Sequence, residues 1–445
     1  MMTRNARTLL GSAVVCALVA GCGESENEFR NGNGGDFEVW VVDQSNSFGL
    51  AYGGAIHIFD GPDLNGADAP DAEPEVVSLE GAAAALCLAS TGANPVRPHM
   101  LVFESSDDYG ILSFVASGHV VIFDAADREP LACFRTEPGA GGARQAHAAF
   151  PTADDANIVV ANQNGKKLER ISTDYGSEIF AQQPAATINL AGCVTPSGAP
   201  CQGAGVRPDN APICPVPLPN GQVVITLRGG GMFVVDPSTT PMSIVAEYDM
   251  DHVGPNGCGG TIVQDTLFIT SGGATLTNLY SYEVYAFPLD EFSAANPPNT
   301  PAPVVVDTDV ADGRDAHGVT PARGVNARYL WVADRGLGLI TTYDAQDFEL
   351  ENVIEFNDGP DDPNKITPDL LDISPSGNRV YASLRGPLPL SGDPHVSVGT
   401  QPGLAVFSVT SNGKNGSLKS VVPISNINAM GQESADAHGV QVRVK

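Results

Sequence analysis

Three features of the sequence predict an all-β protein, a seven-bladed propeller whose four-stranded antiparallel blades close into a ring. A unit of four short β-rich runs, divided by Gly- or Asp-rich turns, recurs about every sixty residues along the 445-residue chain. The composition agrees: 49 Gly and 34 Pro punctuate the chain, Val, Ile and Thr are plentiful, and long stretches of helical periodicity are scarce. The two ends, finally, are complementary fragments of one unit.

In chain order, the first unit begins at EVWVVDQSN and continues through GAIHIFDG and EVVSLEG, three runs with no preceding first strand. Complete units follow at 98–136, 145–183, 213–248, 251–306, 315–356 and 368–422. The last residues, HGVQVRVK, read as a first strand with nothing after it. Joining this strand to the N-terminal fragment closes the ring and leaves no unpaired sheet edge at either end.

Ahead of the propeller, Arg4 and Arg7 precede the apolar run from Leu9 to Ala20, too short for a stable membrane span and typical of a secretory signal. The run ends in Leu18-Val19-Ala20-Gly21-Cys22, which resembles the bacterial lipobox. That resemblance implies a signal peptide over 1–21, removal before Cys22, lipidation of Cys22, and a polar tether over 22–36 leading to a single propeller domain over 37–445. Multiple acyl chains give stable anchoring. Gly23, where inner-membrane lipoproteins carry Asp, implies an outer-membrane lipoprotein facing the periplasm or cell surface.

Without Cys16 and Cys22, six cysteines remain, an even number that suggests disulfides in an oxidising compartment. Cys214 and Cys258 each lie eleven residues before an Ile of a second strand, Ile225 and Ile269, so they occupy equivalent positions in adjacent blades. A disulfide between them is expected, with a soft metal site shared with His252 as the alternative. Cys193 and Cys201 flank one Pro/Gly-rich loop and are expected to bridge locally, which leaves Cys87 with Cys133.

The stretch PDLLDISPSGNRVYASLRG (368–386) resembles the repeat of YVTN/lactonase-like propellers. The resemblance implies the fold over nearly the whole mature chain. It says less about function, because propellers host lactonases, metal carriers and scaffolds alike.

The pentapeptide Asp-Ala-His-Gly-Val occurs twice, at 315–319 and 436–440. Each copy opens the first strand of a blade, which lines the central channel. The corresponding positions around the ring hold His438, His99, His147, Cys214, His252 with Cys258 close by, His317 and Asp369. Five of the eight histidines therefore share one place in the repeat, while His57, His119 and His395 share none.

Two readings compete. In the architectural one, Asp bonds backbone N–H groups, His bonds a neighbouring blade and Gly supplies positive φ. In the chemical one, His147, His252, His317 and His438, with His99, converge at the channel mouth on zinc or copper. Asp315, Asp436 and Asp251 then serve as ligands or orienting partners. Ligand distances of ~2.0–2.2 Å restrict one ion to neighbouring blades, favouring His252 with His317, or His438 with His147 and His99.

A net charge of −29 argues against nucleic-acid binding. The acidic stretches 60–75 and 357–364 lack the register of a calcium loop, so calcium is the less favoured ion. No nucleophile elbow and no informatively spaced carboxylate pair appears. The expectation is a monomeric, lipid-anchored envelope propeller that binds a transition metal, similar in architecture to periplasmic zinc metallochaperones and meeting the membrane only through its lipid. A metal-transport or other envelope protein is the implied partner. The alternatives are a lactonase-like hydrolase and a metal-free interaction scaffold.

Overall fold

A computed structural model of the chain describes residues 36–445 apart from 67, 274–280, 290–291, 310–312, 324–326, 360–361 and 391–396. The expected signal peptide over 1–21, Cys22 and His395 lie outside the described residues. Seven antiparallel sheets make the seven blades. In the first blade the C-terminal strand Ala437–Val444 is innermost and pairs with Phe37–Asp43, followed outward by Ala55–Asp60 and Glu75–Ser78. This closure matches the split unit read from the sequence, with Val440 opposite Val41 and Val442 opposite Val39. Asp372 and Asp107, from the two flanking blades, accept from Val442 N at 2.6 Å and Val444 N at 3.0 Å and so clasp the closing strand.

The innermost strands of the other six blades are Pro98–Phe103, Ala146–Pro151, Pro212–Pro217, Gly260–Val263, Ala316–Ala322 and Pro368–Ile373. Alternation places one face of every strand against the neighbouring blade. Apolar layers fill these gaps, such as Trp40, Phe103, Phe114 and Phe123 between the first and second blades. The one α-helix among the described residues, Ala82–Thr91, was not foreseen; its run AAAALCLAST suits a helix by propensity. It packs on the outer strand of the second blade and is tied there by the Cys87–Cys133 disulfide.

A shared irregularity shapes the channel. Six of the seven innermost strands slip register against their partner at the channel position: between Pro98 and Leu101, Ala146 and Ala148, Pro212 and Pro215, Ala316 and Val319, Pro368 and Leu371, and opposite Val41/Asp43 for the C-terminal strand. A bulge bends a strand and re-aims one side chain. Hydroxyls of the second strands lock this geometry across the blade gap. Ser113 donates to His147 O at 3.1 Å, Thr270 to His317 O at 2.6 Å, and Ser383 to His438 O.

The glycine of Asp-Ala-His-Gly-Val has a different role from the one expected. Neither Gly318 nor Gly439 has positive φ. A Cβ on Gly318 would stand 2.3 Å from Asp369 O, and one on Gly439 2.9 Å from His99 O. Each glycine lets the next blade's innermost backbone approach, and Gly259 does the same against His317 O.

Candidate metal centre at the channel mouth

The bulges deliver His99, His147, His317 and His438 to one cavity of about 600 Å³, to which all seven blades contribute. The His99 ring stacks on His438 with centroids 3.9 Å apart and meets His147 edge-on at 4.6 Å, while His317 lies 5.6 Å from His438. Among the described residues, two sets of three donors come within 4.8 Å of one another: His317 with Asp369 and His438, and His147 with Cys214 and Cys258.

Asp369 is the hub. His438 Nδ1 lies 2.5 Å from its Oδ2 and His317 Nε2 lies 3.1 Å from its Oδ1, the latter without hydrogen-bond alignment. Arg335 Nη1 reaches Oδ1 at 3.2 Å, and Arg385 Nη1 reaches Oδ2 at 2.9 Å. Burial pushes this carboxyl up, but His438, Arg385, His317 and Arg335 together hold it well below the usual carboxylate range. It is therefore an anion, and His438 Nδ1 must carry the proton it donates.

Gln44 fixes His99 in the same way. Its amide nitrogen faces Asp436 Oδ2 at 3.4 Å, which turns its oxygen toward His99 Nδ1 at 2.8 Å. Both histidines thus keep Nδ1–H and present Nε2 as a lone pair. His99 Nε2, His438 Nε2, His147 Nδ1 and both nitrogens of His317 are buried without a hydrogen-bond partner. Burial lowers the pKa of all four imidazoles, His147 to about 3, so they are neutral, which is the metal-ligating form. A second group holding each ligating ring through its other nitrogen is the usual support of a metal site. His317, Asp369 and His438 are therefore a candidate set of metal donors, with His99 stacked beside them.

Asp315 and Asp436 fall in neither set of donors. Each lies two residues before its histidine and binds an arginine instead: Asp315 Oδ2 takes Arg335 Nε at 2.6 Å, and Asp436 takes Arg385 Nε at 2.7 Å and Nη2 at 2.9 Å. The result is a buried ladder, Asp315–Arg335–Asp369–Arg385–Asp436, that holds the hub from both sides. His252 and Asp251 belong to neither set. The innermost strand of the fifth blade starts at Gly260, so its channel position is Cys258, and His252 sits in the preceding turn, 39% exposed, with Nδ1 2.7 Å from Asp249.

Of the expected disulfides, Cys87–Cys133 and Cys193–Cys201 are formed. Cys214 and Cys258 are adjacent, as their equivalent positions require, with sulfurs 2.6 Å apart, longer than a disulfide bond and closer than two separate thiols stand. Burial raises the Cys214 thiol well above its usual range and keeps it protonated.

Sequence reasoning missed Gln44, Arg335, Arg385 and Arg97. A signal for two of them was present. Arg-Gly directly follows the second strand at Arg228-Gly229, Arg335-Gly336 and Arg385-Gly386, in the fourth, sixth and seventh blades. The glycines admit the loop before the first strand: a Cβ on Gly336 would meet Gly313 O, and one on Gly386 would meet Ala435 O.

No protein-family model matches the chain, and no curated protein matches it in sequence. Solved structures match it in fold. A hypothetical selenium-binding protein from Sulfolobus tokodaii aligns with a TM-score of 0.61 at 12% identity, over 93% of this chain and 94% of its own. A 6-phosphogluconolactonase-like protein from Bacteroides fragilis gives 0.53 at 13% identity, over 91% and 98%. One from Bacteroides uniformis gives 0.55 at 14%, over 92% and 99%. At such identities the likeness shows the propeller fold alone.

Proposed function

We propose that this propeller binds a divalent transition-metal ion, zinc or copper, at the channel mouth through His317 and His438 with His99 beside them. The observation that carries the reading is the set of neutral, buried imidazole nitrogens without partners, two of them on rings whose other nitrogen is held by Asp369 or Gln44. Leaving such acceptors unsatisfied is unfavourable, and an ion relieves it. Asp369 orients the rings and supplies the nearest negative charge.

Metal analysis of protein purified without chelators tests the reading. Zinc or copper bound at sub-micromolar free ion, and lost in a His317→Ala/His438→Ala variant, is the expected result. Absence of binding by wild-type protein overturns it, and lactone hydrolysis by the loaded protein would move the assignment to a hydrolase. We also propose that Cys22 carries the lipid that holds the propeller to the outer membrane. Retention of Cys22→Ala protein in the membrane fraction would overturn this.

A further inference from the structure

The chain carries 52 acidic and 23 basic residues, yet the channel cavity is walled by cations. Arg97, Arg144, Arg228 and Arg335 line it, and no Asp or Glu does. Three of these guanidiniums have acceptors. Arg335 is held by Asp315 and Asp369, Arg228 Nε lies 2.6 Å from Asp209, and Arg144 Nε donates to Thr136 O at 2.7 Å.

Arg97 differs. Its Nε and Nη2 are buried and have no hydrogen-bond partner. Its φ is +59°, a left-handed conformation it shares with Arg128, Lys166 and Arg323 and which few non-glycine residues adopt. Two bonds hold it there: Arg97 N donates to Asn46 Oδ1 at 3.0 Å, and Arg97 O accepts from Val115 N at 3.0 Å. A left-handed residue whose guanidinium has two buried donors unused, with Asp436 acting on it only through its charge, two positions before His99, is an arrangement the surrounding structure enforces against local preference. Asp436 supplies charge but no hydrogen bond to Nε or Nη2, and a planar guanidinium fork with two such donors unused suits a carboxylate or phosphate.

We propose that the cavity binds a small oxyanion, a carboxylate or phosphate compound of about sugar-acid size, with Arg97 as its principal partner and Arg144 as a second. Its volume is in the range of small-molecule sites. The amides of Gln145 and Gln163, also on the wall, suit hydroxyl groups of such a ligand. The site does not depend on metal occupancy of the histidines, although a bound anion would lie beside them.

Calorimetric titration of D-gluconate, inorganic phosphate and D-glucose into EDTA-stripped and zinc-loaded protein tests the proposal. Gluconate or phosphate binds the stripped protein, glucose does not, and Arg97→Gln weakens the interaction at least tenfold while its melting temperature shows that it folds. The better of the two anions identifies the acid group of the ligand. If Arg97→Gln does not fold, Arg144→Gln replaces it, with a severalfold weakening expected. Failure of both anions to bind the stripped protein, even if one binds the zinc-loaded form, or unchanged affinity in the folded variant, overturns the proposal. Because the stripped protein is read separately, an absent metal site and an absent anion site give different results.

Discussion

The Asp369 carboxylate receives His438 Nδ1 at 2.5 Å while two guanidiniums, Arg335 and Arg385, hold it from opposite sides. Asp369→Asn keeps the shape but removes the charge, leaving both cations short of a counter-ion in a buried place. Breaking one partner of a buried ionic group costs about 3–5 kcal/mol. Chemical denaturation should show a loss of that order. Zinc affinity should fall by about 10–100-fold, as for other groups that orient a ligand. His252→Ala, by contrast, should leave zinc affinity unchanged, since His252 stands outside the cluster.

Asp372 and Asp107 give the ring closure a pH dependence. Burial raises Asp372 from 3.8 to about 7 and Asp107 to about 6. Their contribution is fully present below 3.8 and is lost as pH rises through 6 to 7, at up to ~1.4 kcal/mol per pH unit for each group. Buried His57 and His119, lowered from 6.5 to about 4, act oppositely: their contribution is present above 6.5 and lost as pH falls toward 4. Asp372→Asn removes only the Asp372 share of the loss at high pH and leaves that of Asp107. Relative to wild type, its melting temperature should be several degrees more favourable at pH 8 than at pH 4.5. An identical offset at both pH values would show that Asp372 is ionised at both.

The two disulfides should differ in weight. Cys87–Cys133 closes 46 residues and Cys193–Cys201 only 8. Chain entropy then assigns about 4 kcal/mol to the first and about 2.5 kcal/mol to the second. Calorimetry of the paired Cys→Ala variants should show the larger fall in melting temperature for Cys87/Cys133, which also frees the helix Ala82–Thr91.

Gly318 and Gly205 offer a contrast of backbone approach. A Cβ on Gly318 would stand 2.3 Å from Asp369 O, whereas one on Gly205 has nothing within 4 Å. Gly318→Ala should therefore cost about 1–3 kcal/mol by overpacking, and Gly205→Ala almost nothing. The Gly318 variant should also lose zinc affinity, because the displaced backbone is that of Asp369.

Much of the fold was legible in the sequence because propeller blades are local structures. Strand alternation, turn residues and a repeat near sixty residues specify each blade without reference to the others, and the split unit at the two ends fixes the closure. The same repeat register located His99, His147, His317, His438 and Asp369 at the channel. Partner choice was another matter, since it depends on contacts between residues far apart in sequence. His438 and Asp369 are 69 positions apart, and His99 and Gln44 are 55. Repeat position could not show that Asp315 and Asp436 turn to arginines, that His252 stops short of its strand, or that Gly318 and Gly439 serve a close approach. The sequence by itself determined the ring and, in every blade but the fifth, which residue opens the channel-lining strand. Only the tertiary structure decided which of them meet, because side-chain pairing across the channel follows from the bulges, the inter-blade spacing and the need of each buried charge for a partner.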